Sequence, residues 1–438
     1  MRKKIALWIG VPIVVVLVAT VIYLKWDEAP PNDADLRLPP ASLPPDQNAF
    51  TYFRQAGEKL QEPDDWDPVV NCIYGDAKVQ GNPRTFDPIS FPTLLRSNEG
   101  AFRYVTLGLA CAGLEYERPA ADEYDAFPYL SRWSGICRLM CLRAVADARA
   151  RRPREAFAGI LAVVKFGRML EGARGPTDGL FMSGMPEGLL HYLHGLACEH
   201  LAYGAAQGIV SMYPADEAAL REFMHGLELM GDNRQELIQA LKMEYDVDAR
   251  GIKDVVAGRG RNSIWGMPAW QRFLMPKLFV LPNQTRRMLA DSYRGIIRNV
   301  ARKPADYEVT WLEQRVMGEG QKFQNWAGTQ IAAMHMRTAS KTLMESLASR
   351  SRNELTRVLI AVRCYSLKHG SLPASLGALV PDYIDKIPED PFDGKPLRYD
   401  ASKKIIYSVG EDLQDNGGSK HAEGIGIEGA DFILRIEF

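Results

Sequence analysis

The chain is short of cysteine, has almost no net charge and carries few catalytic fingerprints, and each shortage removes a class of function. Six cysteines in 438 residues (Cys72, Cys111, Cys137, Cys141, Cys198 and Cys364) include no C-x-x-C pair. A cysteine-rich zinc ribbon and a dithiol redox motif are therefore excluded. Cys137 and Cys141 stand one helical turn apart, the spacing of a shared buried face. In an oxidising compartment Cys72 and Cys111 are one available pair, with connectivity open. The 53 Lys and Arg balance 54 Asp and Glu to a net charge of -1, so no basic field attracts nucleic acid, which is not an expected partner. There is no G-x-S-x-G elbow, no Walker lysine loop and no H-E-x-x-H zinc motif, which removes the motif-based hydrolases and P-loop enzymes.

What is present begins at the N-terminus. Arg2, Lys3 and Lys4 precede Ile5–Leu24, an uncharged stretch, and Lys25, Trp26, Asp27 and Glu28 follow it. About 20 apolar residues suffice to span the hydrocarbon layer of a bilayer. The stretch exceeds a signal-peptide core and lacks a clean A-x-A site, so a retained transmembrane helix is expected. The positive-inside rule then places the N-terminus in the cytoplasm and the bulk of the chain outside the inner membrane, in the periplasm. Six prolines in three pairs between Ala29 and Pro45 predict an extended, semi-rigid spacer.

Beyond the spacer the pattern is helical. Asp46 is the expected cap of a helix that turns Ala49, Phe53, Ala56 and Leu60 inward. Residues 69–125 give no clear reading. From Leu130 to about Leu347 apolar residues recur at helical spacing, as in Leu220, Phe223, Met224, Leu227 and Met230 after Asp216. Arg138–Leu170 reads as a helical hairpin with Pro153 opening its second arm. An aromatic patch, Trp265, Trp270 and Phe273 among prolines, reads as a core segment or a groove wall. Asn283 is the expected cap of the next helix.

The last ninety residues change character. A stripe of Leu355, Val358, Leu359, Val362 and Tyr365 stops near Gly370, a left-handed terminator. Turn-rich sequence follows, then a hairpin of Leu397–Tyr399 and Ile405–Ser408 and a closing strand over Phe432–Phe438. The motifs Gly370-x-Leu372-Pro373, Asp390-Pro391-Phe392-x-Gly394-x-Pro396-Leu397-x-Tyr399 and Tyr407-Ser408-Val409-Gly410 with its acidic loop resemble the globular domain of the major pseudopilin of type II secretion. The resemblance implies a calcium ion stapling the acidic loop through Asp412, Asp415 and Asp431, oxygen donors of the kind calcium takes. The pseudopilin processing site is absent, so the likeness is confined to the module. The whole chain is similar to uncharacterised single-anchor envelope proteins of planctomycete-like bacteria, which implies placement and architecture only.

The expected fold is thus mainly α. It comprises an N-terminal tip and transmembrane anchor (1–28), a proline spacer (29–45), an α-helical extracytoplasmic domain (46–350) and a small α+β pseudopilin-like module with antiparallel strands (351–438). The expected function is a membrane-anchored, non-enzymatic envelope protein, a secretion-related component that binds protein partners. The rival is an extracytoplasmic hydrolase. Its candidates are His191, His194 and His200 on one helix, and the acidic clusters Glu62, Asp64, Asp65, Asp67 and Asp122, Glu123, Asp125. For the histidines packing or solvation is the commoner fate, and for the acids a solvated loop.

Overall fold

Apolar stripes at helical spacing form helices here because each can be covered by a neighbour. The computed structural model describes residues 14–16, 20, 23, 26–40, 42–74, 90–117, 127–175, 187–256, 280–307, 325–418 and 431–438. The first helices are α1 (Ala49–Lys59), α2 (Asp67–Tyr74), α3 (Ser90–Ser97) and α4 (Glu99–Leu109). The hairpin α5 (Pro128–Arg149) and α6 (Pro153–Glu171) follows, with Pro153 at the first turn of α6. Then come α7 (Glu187–Met212), α8 (Glu217–Leu229), α9 (Arg234–Val256), α10 (Pro282–Val300) and α11 (Trp326–His369). Strands β1 (Arg398–Asp400), β2 (Ile405–Ser408) and β3 (Phe432–Arg435) form an antiparallel sheet in the order β1-β2-β3. Its register pairs Tyr399 with Ile406 and Ile406 with Leu434.

Two apolar cores organise the helices. The first gathers α1, α5, α6, α8 and the C-terminal halves of α7 and α11, with Trp133 at its centre. The Trp133 indole is fully buried and donates to the Phe53 carbonyl at 2.9 Å. The second core gathers α9, α10 and the N-terminal halves of α7 and α11 around Leu237, Tyr245, Leu289 and Ile331. Helix α11, 44 residues long and therefore about 66 Å at 1.5 Å per residue, belongs to both. It passes without a break through the expected boundary at 350/351 and ends where Gly370 takes φ 69°.

Several expectations need correction. Among the described residues no helix is long and apolar enough to cross a membrane, which overturns the expected N-terminal transmembrane helix. The long helix α7 carries Glu199 and His191 on buried positions and packs inside the protein. Of residues 5–24, the described ones are Val14, Val15, Val16, Thr20 and Tyr23, helical and exposed. The proline-rich segment is extended but docked. Asp27 accepts from the backbone N–H of Asn283 and Gln284 at the start of α10, Asp33 pairs with Arg286 at 2.9 Å, and Leu36 is buried in the second core. Proline content sets local stiffness, but it does not stop the neighbouring acids from finding partners. The cap of α1 is Asn48, whose side chain accepts from Phe50 N, while Asp46 lies in the preceding turn. Helix α10 begins at Pro282, so Asn283 sits within its first turn and Asp27 does the capping. No disulfide joins Cys72 to Cys111 or any other two of the six cysteines. The Trp265–Phe273 patch and the cluster Asp122, Glu123, Asp125 lie outside the described residues.

Candidate functional site

The C-terminal module is built around one carboxylate. Asp390, fully buried, accepts from Phe392 N, Ser408 Oγ, Val409 N and Arg398 Nη1 at 2.8–3.0 Å. That network explains the Asp-Pro-Phe-x-Gly motif, since a buried carboxylate is tolerated when donors surround it. Arg398 continues outward to Asp393 and, at 3.4 Å, to Asp415. The three acids expected to bind calcium are brought to one turn. Asn416 donates from its backbone to Asp431 and from its side chain to Asp412, and Gly417 N and Gly418 N donate to Asp415 and Asp431. Burial pushes the Asp431 carboxyl up, and the charges of Asp415 and Asp412 push it further.

The three histidines of α7 are not brought together. His191 stacks on Tyr116 at 3.9 Å between centroids, and its Nε2 meets the Tyr129 hydroxyl at 2.9 Å. His194 Nδ1 bonds the Leu190 carbonyl at 3.0 Å. His200 opens onto a cavity, and its pKa is held down to about 4 by burial and by the positive charge of Arg352. Glu62, Asp64, Asp65 and Asp67 are solvent-exposed, and Asp65 caps α2 through Asp67 N.

His200 and Arg352 form the shared wall of two cavities. The smaller, about 480 Å³, lies between α7 and α11 and is lined by Leu193, Leu196, Arg337, Lys341 and Glu345. The larger, about 960 Å³, continues along α7 to the sheet and is lined by Tyr74, Met212, Lys403, Phe432, Leu434, Arg435 and Glu437. Together they make one cleft whose lining cations (Arg337, Lys341, Arg352, Lys403 and Arg435) outnumber its acids (Glu345 and Glu437). The Arg352 guanidinium stands 5.2 Å from the Phe432 ring. Arg352, Arg337 and Lys341 form no ion pair within 4 Å among the described residues. Burial weakens the charged form of Arg352, an effect partly offset by Glu345. A third cavity, about 580 Å³, holds Glu228, Glu354 and Asp232, but these already pair with Arg357 and Arg234.

Two further groups lie in the helical interior. Glu171 and Glu199, both buried, share the single guanidinium of Arg168. Burial pushes both carboxyls up, and for Glu171 repulsion from Glu199 adds to it. In the second core Glu244 and Asp248 of α9 meet His335 of α11, one ligand atom of each lying within 4.8 Å of the others. This was the one such three-residue group found among the described residues. His335 Nδ1 is 2.8 Å from Asp248 Oδ1. The Tyr293 hydroxyl donates to Asp248 Oδ2 at 2.8 Å, and Gly188 N and Leu189 N donate to Glu244 Oε2 at 3.0 and 3.3 Å.

Sequence reasoning missed both the cleft and this group. The one local signal was a pair of acids at i, i+4, Glu244 and Asp248, on the same stripe as Leu237, Leu241, Tyr245 and Ile252. His335 is too distant in sequence for any motif to join it to them. Comparisons with protein-family models, with curated proteins and with solved structures return no match.

Proposed function

We propose that this chain binds an acidic segment of a partner protein in the cleft between α7, α11 and β3. The observation that carries the reading is Arg352, a half-buried guanidinium without an ion pair among the described residues, in the common wall of two cavities. Leaving a cation desolvated and unpaired is costly unless an anion completes it. A guanidinium is suited to gripping a carboxylate by two parallel hydrogen bonds. The apolar lobe under Phe432 and Leu434 offers burial for a side chain beside the acids. The hydrolase reading lacks comparable support, because Glu228, Glu354, Asp232 and Asp390 of the third cavity are paired with arginines and the three histidines of α7 are dispersed. A calcium ion held by Asp412, Asp415 and Asp431 belongs to the same proposal. It would fix the turn Asn416–Gly418, whose Gly418 lines the larger cavity, and the hydrogen bonds that tie the three acids to that turn support it.

The test uses a fluorescein-labelled peptide of two leucines and four glutamates and fluorescence anisotropy. Binding should weaken with salt and fall about tenfold or more in Arg352→Gln, the loss of one charge-assisted contact. Lys341→Ala, an exposed change, should weaken it less. Absence of binding at millimolar peptide, or indifference to both substitutions, would overturn the proposal.

A further inference from the structure

We infer that Glu244, Asp248 and His335 bind one divalent first-row transition ion of the zinc class, which fastens α9 to α11 inside the second core. The separation of the ligand atoms fits. Two donors at about 2.0–2.2 Å from a shared ion lie at most about 4.4 Å apart, and the three here lie within 4.8 Å of one another. Tetrahedral coordination asks for donors about 3.3–3.6 Å apart, so the side chains would draw in around the ion, and a fourth position is left for water or another donor.

The donors select the metal. Two carboxylates and an imidazole suit zinc and its neighbours, whereas calcium and magnesium take all-oxygen sets. The supporting contacts are those of a metal site, because carboxylate ligands are normally held by hydrogen bonds to their other oxygen. Asp248 Oδ2 is held by Tyr293 of α10 while its Oδ1 faces His335. Glu244 Oε2 is held by the Gly188 and Leu189 N–H groups in the first described turn of α7. Four helices thus converge on the group, and the two acids, 1% and 3% exposed, are fixed before an ion arrives. Glu244 and Asp248 stand one turn apart on α9, so the ion spans two turns of that helix and one residue of α11.

None of the three residues lines the cleft described above. Binding of the ion to the folded chain alone would add to folding free energy, and three protein ligands leave its fourth position open. The inference does not rest on the peptide-binding reading, and its test leaves that reading untouched.

The experiment is metal analysis of the full chain after equilibration with micromolar zinc and gel filtration, together with the absorption spectrum of the cobalt-substituted protein. We expect about one equivalent of zinc, visible cobalt bands of a low-symmetry site, and a fall in Tm on chelation. Asp248→Asn and His335→Gln, near-isosteric changes, should lower retention at least about tenfold, the usual loss on removing a ligand or its support, and make Tm insensitive to chelator. Folding of each variant is followed by far-ultraviolet circular dichroism. Should a variant fail to fold, the cobalt spectrum and chelator response of the unaltered chain decide alone. The result that would overturn the inference is a folded protein without zinc and without cobalt bands, which would leave the group an ordinary hydrogen-bonded ion pair. Retention unchanged by both substitutions would equally exclude these residues.

Discussion

Glu171→Gln should make the protein more stable at neutral pH, although it removes a charge that faces an arginine. Glu171 and Glu199 are both buried and share Arg168, whose Nη1 lies 3.8 Å from Glu171 Oε2. At an effective dielectric constant near 20, a pair of charges about 4 Å apart interacts by about 4 kcal/mol. Glu171 therefore feels attraction from Arg168 and opposing repulsion from Glu199, which largely cancel. What remains is the desolvation of its charged form, several kcal/mol for a buried ion. Burial accordingly pushes its carboxyl well above the ordinary 4.5. A carboxyl with a raised folded pKa lets the folded chain hold a proton that the unfolded chain releases. Its stabilising contribution is complete below the unfolded pKa and is lost as pH rises through the folded one. The neutral amide lacks this dependence. Glu171→Gln should gain roughly 1–3 kcal/mol at pH 8, and the advantage should shrink steadily toward pH 5. Arg168→Leu, which leaves two buried carboxylates unopposed, should instead cost about 3–5 kcal/mol at pH 8. Urea unfolding followed by circular dichroism at several pH values measures both. A Glu171→Gln protein less stable than its parent at pH 8, or a difference constant between pH 5 and 8, would refute the reasoning.

Three further outcomes follow from the same packing. A Cβ on Gly195 would lie 2.5 Å from the Gly167 carbonyl oxygen and 2.9 Å from Glu171 N, so Gly195→Ala must part α6 from α7 and should cost about 2–3 kcal/mol in urea unfolding. Cys137 and Cys198 place their sulfur atoms 3.2 Å apart in the core. In protein recovered from an oxidising compartment, non-reducing peptide mapping should find these two linked rather than Cys72 with Cys111, and the bridge should add about 4 kcal/mol for its 61-residue span. Calcium at about a hundredfold over its Kd should stabilise the chain by about 2.7 kcal/mol. Asp412→Ala and Asp415→Ala should each abolish the rise in Tm, whereas an unchanged Tm at millimolar calcium in the parent chain would exclude the ion.

Features that depend on neighbours in the chain were readable, and those that depend on distant partners were not. The stripe behind Asp216 folds as α8, and the Asp216 side chain accepts from Ala219 N at 2.7 Å. Pro153 opens α6 and Gly370 closes α11. The hairpin of β1 and β2 falls within a residue of its expected limits. Each of these is decided by a turn or cap a few residues wide. Asp46 failed as a cap because Asn48 has a second partner that Asp46 lacks, the backbone of Glu115 far along the chain, reached from both atoms of its amide. The proline-rich segment 29–45 and the acids just before it hide their partners from the sequence for the same reason. Their charges are satisfied by Arg286, Arg287 and Arg294, more than 250 positions away. The Glu244, Asp248 and His335 group and the Arg352 cleft are likewise products of helix packing.

Helix α11 carries apolar side chains into both cores. Its first half contributes Ile331, Met336 and Leu343 to the second core, and its second half contributes Leu355, Val358, Leu359 and Val362 to the first. Ile406 of β2, Leu434 of β3 and Ile436 belong to that same first core. A three-stranded sheet of three- and four-residue strands buries too little apolar surface to be stable alone. The sheet must therefore borrow α11, and through it the faces of α5, α6 and α8. One continuous helix consequently fixes His335 in the second core, Arg352 at the cleft and the sheet beyond it in a single frame. A continuous helix resists bending between those points, because any kink requires a broken backbone bond or a helix-breaking residue, and its sequence contains no proline. The cleft is therefore shaped as much by the second core, which sets where α11 begins, as by the strands that close its far end.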